Sequence, residues 1–359
     1  MTLSVCLIVR DEVDVISRCL SCVKNFADEI IVVDTGSADC TVEEVKKFTD
    51  KIYFYKWQDD FSAARNLAFD KATCDYVMWL DADDVITSEN CTRIRNLVDN
   101  GGFDMAYLVY AAAFDKDVPT YLYNRERIFR RAENYRFSGA VHEAVIPRGR
   151  IVYSDARIDH KKLKSGDPMR NLKIYQNQIA CGISLDERAK FYYGRELMYN
   201  KMYCEAVAVL ENFLSGNGWI ENKIEACINL YYCYSALNDN NSAQQCLLKS
   251  LMYAPPRPQF CCILGGIFAE KGDTATAIYW YKQAIDSGGD ALKSGGFVNT
   301  DFYEFIPCMQ LCMLYDRLGD LITANSYNER AGKVKPNSAE YLYNRQYFKN
   351  KLSEEVINE

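Results

Sequence analysis

Four short apolar runs in the first eighty residues constrain the fold more than any other feature of the chain. Residues 3–9, 29–33, 51–57 and 76–80 are rich in β-branched and aromatic side chains. Continuous runs of this length suit strands buried on both faces of a parallel sheet. The segments between them are long enough for crossover helices, and residues 14–24 and 40–48 carry helical spacing. The repeated strand–helix order predicts an open α/β sheet. Three of the runs end in Arg10-Asp11-Glu12, Asp34-Thr35-Gly36-Ser37 and Asp81-Ala82-Asp83-Asp84. Ligands of such sheets bind at the carboxyl ends of the strands, so acidic residues gather where a ligand is expected. Further strands are expected at 105–110, 127–129 and 150–158. The chain's two histidines, His142 and His160, fall in this stretch.

From about residue 186 the pattern becomes helical and repeats. Lys271-Gly272-Asp273-Thr274-Ala275-Thr276-Ala277 aligns with Leu237-Asn238-Asp239-Asn240-Asn241-Ser242-Ala243, 34 residues earlier. It also aligns with Leu318-Gly319-Asp320-Leu321-Ile322-Thr323-Ala324, and loosely with residues 201–206. Twelve residues before each anchoring alanine stand Gly194, Tyr231, Gly265 and Cys312; twelve after stand Gly218, Pro255, Gly289 and Pro336. This resembles the tetratricopeptide repeat, with small residues where paired helices touch and a Gly or Pro stopping the second helix. A Gly-rich insertion at 287–300 lengthens one period. The expected organisation is the α/β domain over 1–165, a connecting helix or linker over 166–185, and helical repeats over 186–359.

Composition narrows the function classes. Net charge is −7, so no basic surface for nucleic acid is expected. The 15 cysteines are odd in number and scattered through apolar runs, which reads as reduced, mostly buried thiols rather than a disulfide framework. Cys19-Leu20-Ser21-Cys22 stands alone, on an expected helix, and makes no zinc pattern. Residues 1–9 are apolar but lack a basic start and are interrupted by charge, so no secretory leader is expected. No run approaches the length of a membrane span. A cytoplasmic protein is the expectation.

Asp81-Ala82-Asp83 follows an apolar strand, and two carboxylates at that spacing can hold a hard divalent cation against the phosphates of a nucleotide. Alone such a pair is common in turns and caps. Its context is distinctive. Residues 4–12, then Ile31-Val32-Val33-Asp34-Thr35-Gly36-Ser37-Ala38-Asp39-Cys40-Thr41, then Asp60-Phe61-Ser62-Ala63-Ala64-Arg65-Asn66 and Trp79-Leu80-Asp81-Ala82-Asp83-Asp84 resemble the nucleotide-binding half of family two glycosyltransferases, over roughly 2–160.

That resemblance implies a GT-A fold, a UDP-sugar donor of the glucose or N-acetylglucosamine type, Mn or Mg, and inversion at the anomeric carbon. It implies that Asp34 accepts the uracil N–H, that the backbone at Val9 and Arg10 flanks the base, and that Glu12 reaches base or ribose. Arg65 corresponds to a contact with nucleotide or diphosphate, Asp81 to ribose or metal, and Asp83 to the metal. His160 is a further candidate metal ligand, and Asp84 reads as a helix cap. An inverting transfer needs a base for the acceptor's proton. Glu143, in Val141-His142-Glu143, is the expected base. The absence of a Q-x-x-R-W segment argues against processive polysaccharide synthesis.

A transferase domain joined to such repeats resembles bacterial peptide and protein glycosyltransferases. It implies a protein or peptide acceptor, with self-association through the repeats a further expected contact. Aromatic residues such as Tyr231, Tyr232, Tyr234, Tyr279 and Tyr281 sit at helical spacing and cannot all face inward. The alternatives left open are an envelope glycan or lipid-linked acceptor, and a non-catalytic scaffold. On this reading a chain ending near Ser184 keeps donor hydrolysis.

Overall fold

The computed structural model describes residues 1–164, 166–287, 292 and 295–358. It divides into two compact units, Met1–Ala112 with Tyr123–Trp219, and Ala113–Leu122 with Ile220–Glu359.

In the first unit the chain runs β1 (Leu3–Val9), α1 (Ile16–Val23), β2 (Glu29–Asp34), α2 (Thr41–Val45), β3 (Ile52–Phe54), α3 (Phe61–Lys71), β4 (Tyr76–Leu80), β5 (Asp84–Val85) and α4 (Ser88–Asn100). β6 (Met105–Asp115) and β7 (Val118–Arg130) follow; their shared tip is counted with the second unit. Then come β8 (Phe137–Ser138), β9 (Ala144–Val145), β10 (Ile151–His160) and the helices α5 (Arg170–Ala180), α6 (Glu187–Tyr199) and α7 (Tyr203–Ser215). The first helix pair of the repeat region thus belongs to the same compact unit as the sheet, and the boundaries read from sequence at 165 and 186 fall inside it.

The sheet order is β3-β2-β1-β4-β7-β6-β10-β5. β1 pairs in parallel with β2 and with β4, while β7 runs antiparallel to β4 and β10 parallel to β6. The apolar runs are buried on both faces, as their composition requires. Leu3, Val5, Leu7 and Val9 join Tyr76, Met78 and Leu80 in one core with α1 and α4. The intervening Cys6, with Ile31, Val33, Val77 and Trp79, joins Ala68 and Phe69 of α3 in the other. This is the period of two expected of a pleated strand. The register aligns Val9 with Asp34 and Leu7 with Leu80, so β1 and β2 end level and β4 ends two residues earlier. β1 and β4 are neighbours although α1 leads away from one and α3 leads into the other; that reversal of strand order is where open α/β sheets leave a crevice.

The second unit holds α8 (Ile220–Ala236), α9 (Asn240–Lys249), α10 (Pro258–Glu270), α11 (Thr274–Asp286), β11 (Val298–Asn299), α12 (Phe305–Arg317), α13 (Leu321–Val334) and α14 (Ala339–Asn358). β11 pairs antiparallel with Tyr121 and Leu122. The turns inside the helix pairs repeat one device. Asn238, Gly272 and Gly319 take φ of 61°, 79° and 80°, and the following Asp239, Asp273 and Asp320 accept from the backbone N–H of Ser242, Thr276 and Thr323. A left-handed residue and an Asp N-cap are the local chemistry that restarts a helix. Where α10 meets α11, a Cβ at Gly265 would lie 2.8–2.9 Å from the ring of Tyr281, so the small residue permits the close approach. Tyr281 is core, whereas Tyr232 and Tyr279 are exposed. Gly289 and residues 288–291 and 293–294 of the insertion lie outside the described residues.

All 15 cysteines are free, and ten are buried. Among the described residues no helix is long and apolar enough to cross a membrane.

Candidate active site

A cleft of about 560 Å³ opens in the first unit at the carboxyl ends of β1 and β4. Its walls are the β1–α1 loop, the start of α3, residues 81–83, the inner half of β7, the 141–143 loop, and the end of β10 with the segment leading into α5. Val9, Arg10, Glu12, Arg65, Asp81, Asp83, Glu143 and His160 all line it. Asp34 does not; it is 3% exposed, behind the lining Thr35.

The rim is built by two loops tied together. Asp11, with φ of 53°, receives the N–H of Ala38 on its carboxylate at 2.7 Å and donates its own N–H to Ser37 Oγ at 3.0 Å. The N–H of Glu12 bonds Thr41 Oγ1 at 2.8 Å. Asp34 holds the second loop: its Oδ1 accepts from the N–H groups of Gly36 and Ser37 at 2.9 and 3.0 Å. Its Oδ2 is buried without a partner among the described residues. An interior carboxylate oxygen left without a donor is costly, and a ligand N–H is one way to satisfy it.

Arg65, from α3, is the hub of the floor. Its Nε donates to Glu143 Oε1 at 2.6 Å and its Nη2 to Asp81 Oδ1 at 2.7 Å, while Nη1 is buried without a partner. Its guanidinium lies 4.2 Å from the Trp79 ring centre; Arg127 lies at 3.8 Å and Arg125 at 5.1 Å from the same ring. Burial works against ionising Asp81, but Arg65 and Arg127 outweigh it and hold the carboxyl well below its ordinary range. Arg65 is therefore spent chiefly on two protein carboxylates, an arrangement its motif does not reveal.

Asp84 is not a helix cap. It is fully buried; it accepts from the N–H of Asp81 and from Tyr110 Oη, each at 3.0 Å, and pairs with Arg127 at 3.2 Å. The cap of α4 is Thr87, which accepts from Asn90. Asp84 thus shapes the turn that presents Asp81 and Asp83. His160 Nδ1 lies 3.2 Å from Asp83 Oδ1 and 3.6 Å from Asp84 Oδ1, and one ligand atom from each of the three falls within 4.8 Å of the others. Burial disfavours charge on His160, yet the two carboxylates hold its pKa up to about 10. Carboxylate and imidazole donors this close fit a divalent cation, although Asp84 is already engaged by Arg127 and Tyr110. Glu12 faces the same acidic group; burial and the charges of Asp83 and Asp81, against Lys164 and Lys162, raise its pKa to about 7.

Several lining residues escape motif reading. Trp57 and Phe61 pack edge to face at 4.7 Å, and Arg170 lies 4.9 Å from the Phe61 ring. Tyr123, Arg125 and Arg127 line the cleft from alternate positions of β7. Their spacing of two is the strand signal in the sequence, and β7 begins well before the strand expected at 127–129.

Residues 4–154 match the family model described as Glycosyl transferase family 2. A TPR repeat-containing protein of Synechococcus elongatus is 28% identical over 328 residues, covering 89% of this chain and 75% of that protein. The SPbeta prophage-derived glycosyltransferase SunS of Bacillus subtilis is 33% identical over 209 residues, covering 55% of this chain and 49% of that one; the chain thus spans about half of SunS. Among solved structures, S. aureus TarS 1-349 in complex with UDP-GlcNAc is 14% identical, covers 68% of this chain and 90% of that one, and has a TM-score of 0.40.

Proposed function

We propose that the chain, whose residues 4–154 match the family model described as Glycosyl transferase family 2, transfers a sugar from a UDP-sugar, of the glucose or N-acetylglucosamine type, to a protein or peptide side chain with inversion. The observation that carries this reading is the cleft, where Asp81, Asp83 and His160 face a space bounded by the β1–α1 rim. Asp34, next in the chain to the lining Thr35, has an unsatisfied Oδ2.

In this reading Asp34 Oδ2 accepts the N–H of the uracil, the backbone at Val9 and Arg10 flanks the base, and Glu12 meets the ribose. Asp81, ionised beside Arg65, is placed for the ribose or for the cation. Asp83 and His160 would hold Mn or Mg, which when bound would neutralise the diphosphate. Arg65 keeps Asp81 and Glu143 in register and has Nη1 left for the donor. Trp57 and Phe61 give apolar surface to the wall. The acceptor class is supported by the helix pairs, which as repeat arrays offer extended surface to a polypeptide. Exposed Tyr232, Tyr279 and Tyr343 fit such a contact. Self-association through the same helices belongs to this proposal as well.

The test is UDP release from UDP-glucose and UDP-N-acetylglucosamine, with and without a candidate polypeptide, before and after chelation. Calorimetry with UDP accompanies it. Asp34→Asn keeps the turn but sets an amide against the uracil N–H, and is expected to weaken UDP binding about 10–100-fold, the worth of a hydrogen bond to a charged group. Unchanged affinity would remove Asp34 from the site; full activity in excess chelator would remove the metal.

A further inference from the structure

His142 shares the cleft with Asp81 and Asp83, and its ring is held on several sides. Nε2 lies 2.8 Å from Oε1 of Glu196, a buried carboxylate of α6, and that oxygen also accepts from Asn171 Nδ2 at 3.0 Å. The ring of Tyr192 stacks on the imidazole, 4.2 Å away and 13° from parallel. The backbone is fixed too. Tyr175 Oη donates to the carbonyl of Val141 at 3.3 Å, Arg188 Nε to that of His142 at 3.1 Å, and Arg125 Nη2 to that of Glu143 at 2.8 Å. His142 itself takes a φ of 51°. Such a backbone is uncommon outside glycine, and here these contacts hold it.

The carboxylate of Glu196 only accepts, so the neutral ring carries its hydrogen on Nε2 and keeps the lone pair on Nδ1. Nδ1 has no hydrogen-bond partner among the described residues, and the side chain is 30% exposed. Glu143, the base expected from sequence, is by contrast buried and ion-paired with Arg65.

We propose that His142, oriented by Glu196 and Asn171, takes the proton of the attacking acceptor, while Glu143 holds Arg65 and Asp81 in place; this rests on the transferase reading above. The acceptor oxygen or sulfur gives its proton to Nδ1 as its lone pair forms the bond to the anomeric carbon. The bond from that carbon to the diphosphate oxygen breaks, and its electron pair leaves with UDP. The imidazolium then returns the proton to solvent in the open cleft. Glu196 and Asn171 are positioning residues. Burial lowers the His142 pKa from its ordinary value, Glu196 and Glu143 oppose that, and Arg195 adds to it. The ring is therefore neutral at pH 7. The other charged or titratable groups against this loop are Arg188 and Tyr192 of α6, Tyr175 of α5 and Arg125 of β7.

The experiment uses the full chain, with Mn and UDP-N-acetylglucosamine or UDP-glucose as probes and water as acceptor. His142→Asn suits the left-handed backbone, which asparagine tolerates. It is expected to keep UDP binding, to slow donor hydrolysis about 10²–10⁴-fold, and to lose the acidic limb of the pH–rate profile. Added imidazole is expected to restore part of the rate. Glu196→Gln is expected to move the limb to lower pH, and Glu143→Gln to move it the same way by less without removing it. Because the chain has two histidines, ¹⁵N-histidine NMR of the wild type and His142→Asn assigns both rings. His142 is expected as the neutral Nε2–H tautomer at pH 7. Hydrolysis by His142→Asn within about threefold of wild type with the limb intact, or the Nδ1–H tautomer, overturns the proposal. If the wild-type chain neither binds UDP nor releases it from either sugar, the transferase reading falls instead, and this proposal with it.

Discussion

Arg65 offers the sharpest test of how the cleft is held together. The side chain is 7% exposed and bridges Glu143 at 8% and Asp81 at 33%, through contacts of 2.6 and 2.7 Å. Arg65→Met keeps much of the aliphatic volume and the contact with Trp79 but removes the charge. Two carboxylates are then left in the interior, with Arg127 still near Asp81. Breaking a buried pair from one side costs about 3–5 kcal/mol, because the remaining charge is uncompensated. The pH dependence follows from the sign of the shift. Asp81 is held below its unfolded value, so its pairing stabilises the native state above that value and stops doing so as pH falls through the native one. The deficit of Arg65→Met is therefore expected in full at pH 7 and reduced near pH 3, where the freed carboxylates bind protons. Urea unfolding followed by tryptophan fluorescence measures it, since Trp57, Trp79 and Trp219 all lie in the first unit. A deficit under about 1 kcal/mol at pH 7, or one equal at both pH values, would refute the reasoning.

Two further outcomes are expected. Glu29 is buried; that burial is outweighed by Lys51, Ser4 and Thr73, which lower its pKa to about 2 from 4.5. Its contribution of about 3 kcal/mol is present above pH 4.5 and is lost as pH falls toward 2, so Glu29→Gln should flatten the urea midpoint against pH over that window. Gly265→Ala places a methyl group against the Tyr281 ring and should cost about 1–3 kcal/mol in the unfolding of the second unit, readable by calorimetry.

Much of the architecture rests on features that act over a few residues. The apolar runs became β1, β2 and β4 because a strand buried on both faces needs apolar residues at consecutive positions. β3 covers only 52–54 of the run read at 51–57. The repeat turns were legible because a left-handed residue followed by an Asp cap is local chemistry. β6 and β7 extend well past 105–110 and 127–129.

The cleft was legible only as a list of members. Asp81, Asp83, Arg65 and Asp34 stand in motifs next to strand ends, so their neighbourhood could be read; what each one touches could not. Arg65 meets Glu143 across 78 residues and His142 meets Glu196 across 54. Asp84 turns inward because Tyr110 and Arg127 arrive from other strands. A chain ended near Ser184, read from sequence as keeping donor hydrolysis, would lack Glu196, Tyr192 and Arg188 and leave the His142 loop without its support. Sequence determined which segments must be strands, where helices restart and which acids sit at the strand ends, because those depend on neighbours along the chain. Which acid is paired, which buried oxygen lacks a partner, and which imidazole nitrogen Glu196 holds were decided by tertiary packing alone, because the energy of a buried charge depends on whatever distant group is brought against it.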